Sequence, residues 1–318
     1  MRFPIGILPQ LWLDDLRAVA DPARESVKDW LRAETGFAVT SLNPSAFEIQ
    51  VHHAPEFLSP LTFELNLWAS SAFESMSSIS PQAVRTHATA WPLIQLYYSA
   101  FFSAHCILRA FGQMCSQLDS SYTNALRRSA HSIGIVSPLE DGFYALRYDR
   151  SLTRIYGTKL KESHADTWKT FTNLLKQIEK NIPNISATKD TKDTATKCLK
   201  KLRDILENNG ATNGGNWLSQ FRNRLNYQKA FGVWYPYSKR NPDIEALYHS
   251  LQRWKDKSSV FNLEISRSQE LLRFVEASIF ITSFCREMII ELSNTRLSRR
   301  HFVDRGGLDF LRFARCDD

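Results

Sequence analysis

Helical periodicity is the chain's clearest signal. Over residues 81–114, "PQAVRTHATAWPLIQLYYSAFFSAHCILRAFGQM", Ile94, Tyr98, Phe101, His105 and Leu108 recur in steps of four and three. Tyr97, Phe101, Ala104, Leu108 and Phe111 form an overlapping stripe. The apolar band is therefore wide, as for a helix in the middle of a bundle. Pro92 marks either a kink or the true start. Ser99, Ala100, Ser103 and Ala104 sit between the bulky residues and let a neighbour come close. A second long helix is predicted over 266–294. Its most apolar part, 271–290, is broken by Arg273, Glu276, Arg286 and Glu287, so it reads as an amphipathic core helix and not a membrane span.

Shorter periodic segments fill in the rest. Pro60 opens a segment with Leu61, Leu65, Trp68 and Phe73 at helical spacing. "ADTWKTFTNLLKQIEKNI" is an amphipathic helix ended by Pro183, and 243–257 predicts another. "CLKKLRDILENNG" reads as a short helix, preceded by "SATKDTKDTATK" as a polar linker or a helix start. Residues 11–35 are a short helical region, with Asp21 as cap and Pro22 in the first turn. Strand signals are weaker. "FAVTSL" and "FEIQVHH" alternate around "NPSA" and predict a small hairpin. Residues 117–165 look irregular, with "GFYALRYDRSLTRIYG" as a strand or a loop.

These elements predict a mainly α fold. It is an up-and-down helical bundle from helices near 60–76, 83–114, 217–230 and 266–294, with a small N-terminal α/β decoration and a middle insertion. The corresponding domains are an N-terminal extension over 1–58, the bundle over 59–295 with an insertion at about 117–215, and a basic tail over 296–318.

Composition changes this picture in two respects. With 43% hydrophobic and 12% aromatic residues in 318, the chain can build a real core, which excludes a disordered protein. Charge is uneven: residues 1–150 hold 11 Lys/Arg against 14 Asp/Glu, and residues 151–318 hold 29 against 19. A basic half suits a polyanion, most simply nucleic acid, or else is a solvated surface. Cys106, Cys115, Cys198, Cys285 and Cys316 include no CxxC pair, which argues against zinc and a disulfide framework and fits a reducing cytoplasm. The start "MRFPIGILPQLWLDDL" lacks a signal peptide's basic region and cleavage site. No HExxH, acidic metal cluster, Gly-rich phosphate loop or GxSxG is present, so no cofactor or metal is expected.

The candidate chemistry lies in "SQFRNRLNYQKAFGVWYPYS", residues 219–238. Asn216 or Ser219 can cap a helix running to about Lys229, with Leu218, Phe221 and Leu225 on its inner face. Arg222 and Asn226 then share one face, and Asn223 and Tyr227 the adjacent one. Arginine offers phosphate a planar charged fork, the asparagines position phosphate or arginine, and tyrosine stacks on a base or donates a hydrogen bond. The structural alternative pairs Arg222 with an acid and uses the asparagines to cap a bend. His105 either faces Arg222 across the bundle or is a core histidine bonded to a carbonyl or tyrosine. His52, His53, His87, His131, His164, His249 and His301 stand in weaker contexts; His52 and His53, adjacent in the expected strand, face opposite ways.

"YYSAFFSAHCILRAFG" together with the downstream "RNRLNYQ" resembles the HEPN superfamily, helical bundles of prokaryotic toxins, anti-phage proteins and RNases. The resemblance covers roughly residues 60–115 and 215–295. It gives Arg222 the place of the family arginine and Asn223 that of its polar follower. Tyr227 stands where the common pattern has histidine. The resemblance implies RNA binding or metal-independent cleavage of RNA, a composite site in a homodimer, and an antitoxin or defence-system partner protein. Arg222 would stabilise the charge of the phosphorane, Asn223 and Asn226 would position it, and Tyr227 would donate or stack. A different class stands beside it: a non-catalytic scaffold or dimerisation module, or an accessory subunit of a nucleic-acid-associated complex.

Overall fold

The computed structural model describes residues 3–20, 24–79, 89–208, 210, 211, 214–240, 247, 250, 251, 253–255 and 269–314. Its helices are α1 (Val27–Ala33), α2 (Ala54–Ser77), α3 (Ala90–Ala110), α4 (Ser120–His131), α5 (Ser163–Asn181), α6 (Lys189–Leu206), α7 (Trp217–Tyr227), α8 (Glu270–Asn294) and α9 (Gly307–Phe313). Five strands join them: β1 (Phe37–Asn43), β2 (Ala46–Val51), β3 (Gln113–Leu118), β4 (Gly142–Asp149) and β5 (Arg154–Leu160).

The expected up-and-down bundle is corrected by this sheet. All five strands form one antiparallel sheet in the order β1-β2-β5-β4-β3. The N-terminal hairpin is thus not a decoration, and the strands read as irregular middle chain are its partners. The protein is an α/β mix. Register explains why the sheet holds. Val39 faces Ile49, Ile49 faces Ile155, and Ile155 faces Tyr148, so one row of buried side chains runs across four strands. Such cross-strand pairs are the unit of sheet stability. Phe57 of α2 packs on this row through Tyr148, with ring centroids 4.8 Å apart.

Helix α3 is the central element, against α2, α8, α5, α7 and β3. Its small residues do what their spacing implies: the Ser99 hydroxyl donates to the Ala72 carbonyl of α2 at 2.8 Å, at a close helix crossing. Pro92 lies in the first turn of α3, while 81–88 fall outside the described residues. The helix stops at Ala110, short of the expected Met114. Gly112, at φ +70°, turns the chain and its carbonyl accepts from the Tyr148 amide at 2.8 Å, which launches β3.

Other boundaries move for local reasons. Helix α2 starts at Ala54 and keeps Pro60 inside it. Helix α1 is capped by Ser26 with Asp29 in a capping box, while Asp21 and Pro22 lie outside the described residues. Thr188 caps α6, so "SATKDTKDTATK" is a helix start, continuous with "CLKKLRDIL". Within the expected helix over 243–257 the described residues include a 3-10 turn at Arg253–Lys255. His52 and His53 lie past the end of β2. Among the described residues no helix is long and apolar enough to cross a membrane.

A buried ion pair joins the helical layer to α1. Arg109 of α3 and Glu64 of α2 are 1% and 6% exposed, and Arg109 Nη2 and Nε donate to Glu64 Oε2 at 2.5 and 2.9 Å. Glu64 Oε1 accepts from the Val27 amide at 3.0 Å, so the pair also ties the first turn of α1.

Candidate functional site

Helix α7 is placed by a glycine and ended by a tryptophan. Gly215, at φ +96°, precedes it, and a Cβ there would lie 2.2 Å from Thr172 Oγ1 of α5. Only glycine lets the two helices come this close. At the other end Trp234 Nε1 donates to the Leu225 carbonyl at 2.9 Å, and Lys229 and Phe231 adopt left-handed backbone. Between these ends Leu218, Phe221 and Leu225 are fully buried. Phe221 is stacked between Phe231 and Phe274, each with centroids 4.2 Å away.

The two arginines of "RNR" have opposite surroundings. Arg224 reaches solvent and pairs with Glu270 at 3.0 Å. Arg222 is 8% exposed and, among the described residues, forms no ion pair. Its partners are neutral. Nη1 donates to Asn223 Oδ1 at 2.9 Å, and Nη2 donates to His164 Nε2 at 3.0 Å. The guanidinium lies over the Tyr97 and Tyr98 rings, 5.4 and 5.8 Å from their centroids. Nε is buried with no hydrogen-bond partner among the described residues. A desolvated cation without a counter-ion is costly, and its charge is left available to an incoming anion.

His164, at the start of α5, is a site residue that the "RNRLNY" motif alone does not reveal. The turn that carries it is fixed by Asp166, whose Oδ2 accepts from the Lys161 and Glu162 amides at 2.8 and 2.9 Å. Since Arg222 must donate to Nε2, the imidazole proton lies on Nδ1. Nδ1 bonds the Tyr97 hydroxyl at 3.0 Å, and that hydroxyl also accepts from Trp168 Nε1 at 3.1 Å. Burial, then the Arg222 charge, pulls the His164 pKa down to about 4, so the ring is neutral at pH 7. Burial pushes the Tyr97 hydroxyl up to about 12. A sequence signal for His164 existed: His164, Trp168, Phe171 and Leu175 step by four, three and four along α5.

The remaining candidates separate. Asn223 is exposed on the solvent side of Arg222, and Asn226 is half-buried one turn on. Tyr227, the last residue of α7, is 73% exposed and makes none of these contacts. His105 is buried in α3 and meets Arg109, not Arg222. His87, His249 and Cys316 lie outside the described residues. Among the described residues no cluster of three or more His, Cys, Asp or Glu could hold a metal. The site thus draws on α3, α5 and α7: a buried cation, a neutral imidazole bonded to it, and a tyrosine ring under both. Comparison with protein-family models, curated proteins and solved structures finds no match for this chain.

The depressed His164 pKa has a consequence for stability. The unfolded chain takes up a proton near the ordinary histidine value of 6.5, and the folded site resists until about 4. The unfolded state then binds more protons, so stability is full above pH 6.5 and falls as pH drops toward 4. His105 and His301, also held below their ordinary value chiefly by burial, add in the same direction. The urea midpoint is expected to fall between pH 7.5 and 5, and His164→Gln to flatten part of that fall. An unchanged slope would show that His164 is protonated in the folded protein.

Proposed function

We propose that the protein binds RNA at the Arg222–His164 centre and cleaves it without a metal ion. The observation that carries this reading is a buried arginine whose partners are all neutral, bonded to an imidazole that is neutral at pH 7. A phosphodiester is the ligand this favours, because its oxygens match the guanidinium fork. The resemblance to the HEPN superfamily adds support. The residues that carry it come together here, with Tyr97 and Tyr98 of the long helix against Arg222 of the second motif. Exposed Trp91, Tyr227, Tyr235 and Tyr237 supply faces on which unpaired bases can stack. On this reading the protein acts as a toxin or in antiviral defence, as a homodimer.

The reaction is transesterification. The RNA 2′-oxygen attacks phosphorus, the bond to the 5′-oxygen breaks, and the products are a 2′,3′-cyclic phosphate and a 5′-hydroxyl. Arg222 stabilises the charge that grows on the phosphorane. A phosphate that takes over Nη2 frees His164 Nε2 to accept the 2′-proton, and water gives the departing 5′-oxygen its proton, with the imidazolium returning its own to solvent. The anion beside it also raises the imidazole's proton affinity.

Fluorescence anisotropy of the full chain with single-stranded RNA tests the binding. Affinity is expected to fall at least about tenfold between roughly 50 and 200 mM salt, as counterion release requires. Cleavage with cyclic-phosphate ends should persist in EDTA. No binding at low salt, or binding indifferent to salt, would overturn the proposal.

A further inference from the structure

On another side of His164 lies a cavity of about 370 Å³, within the usual range for small-molecule pockets of roughly 300–1,000 Å³. We infer that it is a nucleobase pocket, in which the His105 Nε2–H donates to a ring acceptor of the base. The inference rests on the RNA reading for its choice of ligand.

The geometry of His105 carries the argument. The residue is 3% exposed, in the last two turns of α3, and lines the cavity. Arg109 Nη1 approaches its Nδ1 at 3.4 Å as a donor, which puts the proton on Nε2. Trp68 stacks on the ring at 4.4 Å and 13° between planes, and Phe101 meets it at 4.7 Å and 84°. Trp68 covers one face of the ring, Arg109 takes Nδ1, and the residue lines the cavity, so Nε2–H is the polar group the ring has left to offer a ligand there. That group has no protein partner among the described residues. Burial and the nearby Arg109 charge hold the imidazole neutral, so it offers a single fixed donor.

The other walls suit a flat heterocycle. Trp68, Phe101 and Phe143 supply apolar surface, and Lys28 supplies a cation. Glu64 repels no anion, since Oε2 is bonded to Arg109 and Oε1 to the Val27 amide. Aromatic walls, the His105 donor and the Lys28 cation, with the hydroxyls of Ser26, Ser116 and Ser163 and the amide of Gln117 around them, favour a base with an attached phosphate over an aliphatic acid or a cationic amine. His164 belongs both to this cavity and to the Arg222 centre. A nucleotide with its base here therefore has its phosphodiester close to Arg222.

Calorimetric titration of the full chain with adenosine, guanosine, cytidine and uridine tests the pocket. At least one nucleoside is expected to bind saturably, and His105→Phe to weaken it at least tenfold. Leu67, 54% exposed, also lines the cavity, so Leu67→Trp fills the space without disturbing the core and is expected to weaken binding similarly. No nucleoside binding, or binding unchanged in Leu67→Trp, would overturn the pocket even if RNA binds. Nucleoside binding by a chain that does not bind RNA would overturn the RNA reading and leave the pocket standing.

Discussion

Arg222→Ala is expected to lower the rate of RNA cleavage by about a hundredfold or more, the scale seen when one charge-stabilising donor is removed. Its effect on the melting temperature should be small, although the residue is buried. Three facts give this combination. No carboxylate pairs with Arg222 among the described residues, so its removal strands no buried anion. Asn223, which holds Nη1, is exposed and can turn to water. His164 keeps its Tyr97 bond and, without the neighbouring cation, titrates closer to the ordinary histidine value. Arg222→Lys should recover part of the binding and little of the rate, since a point charge lacks the planar fork. Tyr227→Phe should cost little, because the Tyr227 side chain stands outside this cluster. A large loss of stability in Arg222→Ala, with no activity to lose, would mark the cluster as a scaffold and sink the enzymatic reading.

Arg109→Met is expected to do the reverse, destabilising the fold by about 3–5 kcal/mol, as when one member of a buried pair is deleted. Glu64 would remain 6% exposed with only the Val27 amide to stabilise its charge. The double variant Glu64→Gln with Arg109→Met should recover most of the loss. Glutamine keeps an acceptor for the Val27 amide and carries no charge. Urea denaturation of the parent and these two variants decides this. A single variant as stable as the parent would mean that the pair adds nothing to the fold. Two buried arginines, one paired and one not, thus predict opposite divisions between stability and activity.

The helices were legible in the sequence because their signal is local. The stripes within 81–114 and 266–294 mark α3 and α8, though with ends that overshoot, and Phe221 and Leu225 point inward as their spacing requires. The hairpin of β1 and β2 was legible for the same reason. The rest of the sheet was not. "QMCSQL" of β3 has no β-branched residue, and its periodicity merges with the helix before it. The strand order depends on pairings that no local pattern encodes. At the site, Arg222 and its polar follower could be read from one short stretch, but the histidine comes from another helix. Its contact with Arg222 depends on how closely Gly215 lets α7 approach α5, a distance no motif records.

The strand order also bears on how the chain is made. β2 pairs with β1 at once, but its other edge pairs with β5, where Ala46 faces Thr158. During synthesis the hairpin emerges long before that partner leaves the ribosome. Its open edge, with the buried-to-be Phe47, Ile49 and Val51, is a template for any other strand until then. Non-local pairing of this kind slows folding and prolongs exposure of sticky surface. The vulnerable species is therefore a nascent chain in which β2 has emerged and β5 has not, and a holdase chaperone that covers the hairpin should raise the yield of folded protein more than one added after release.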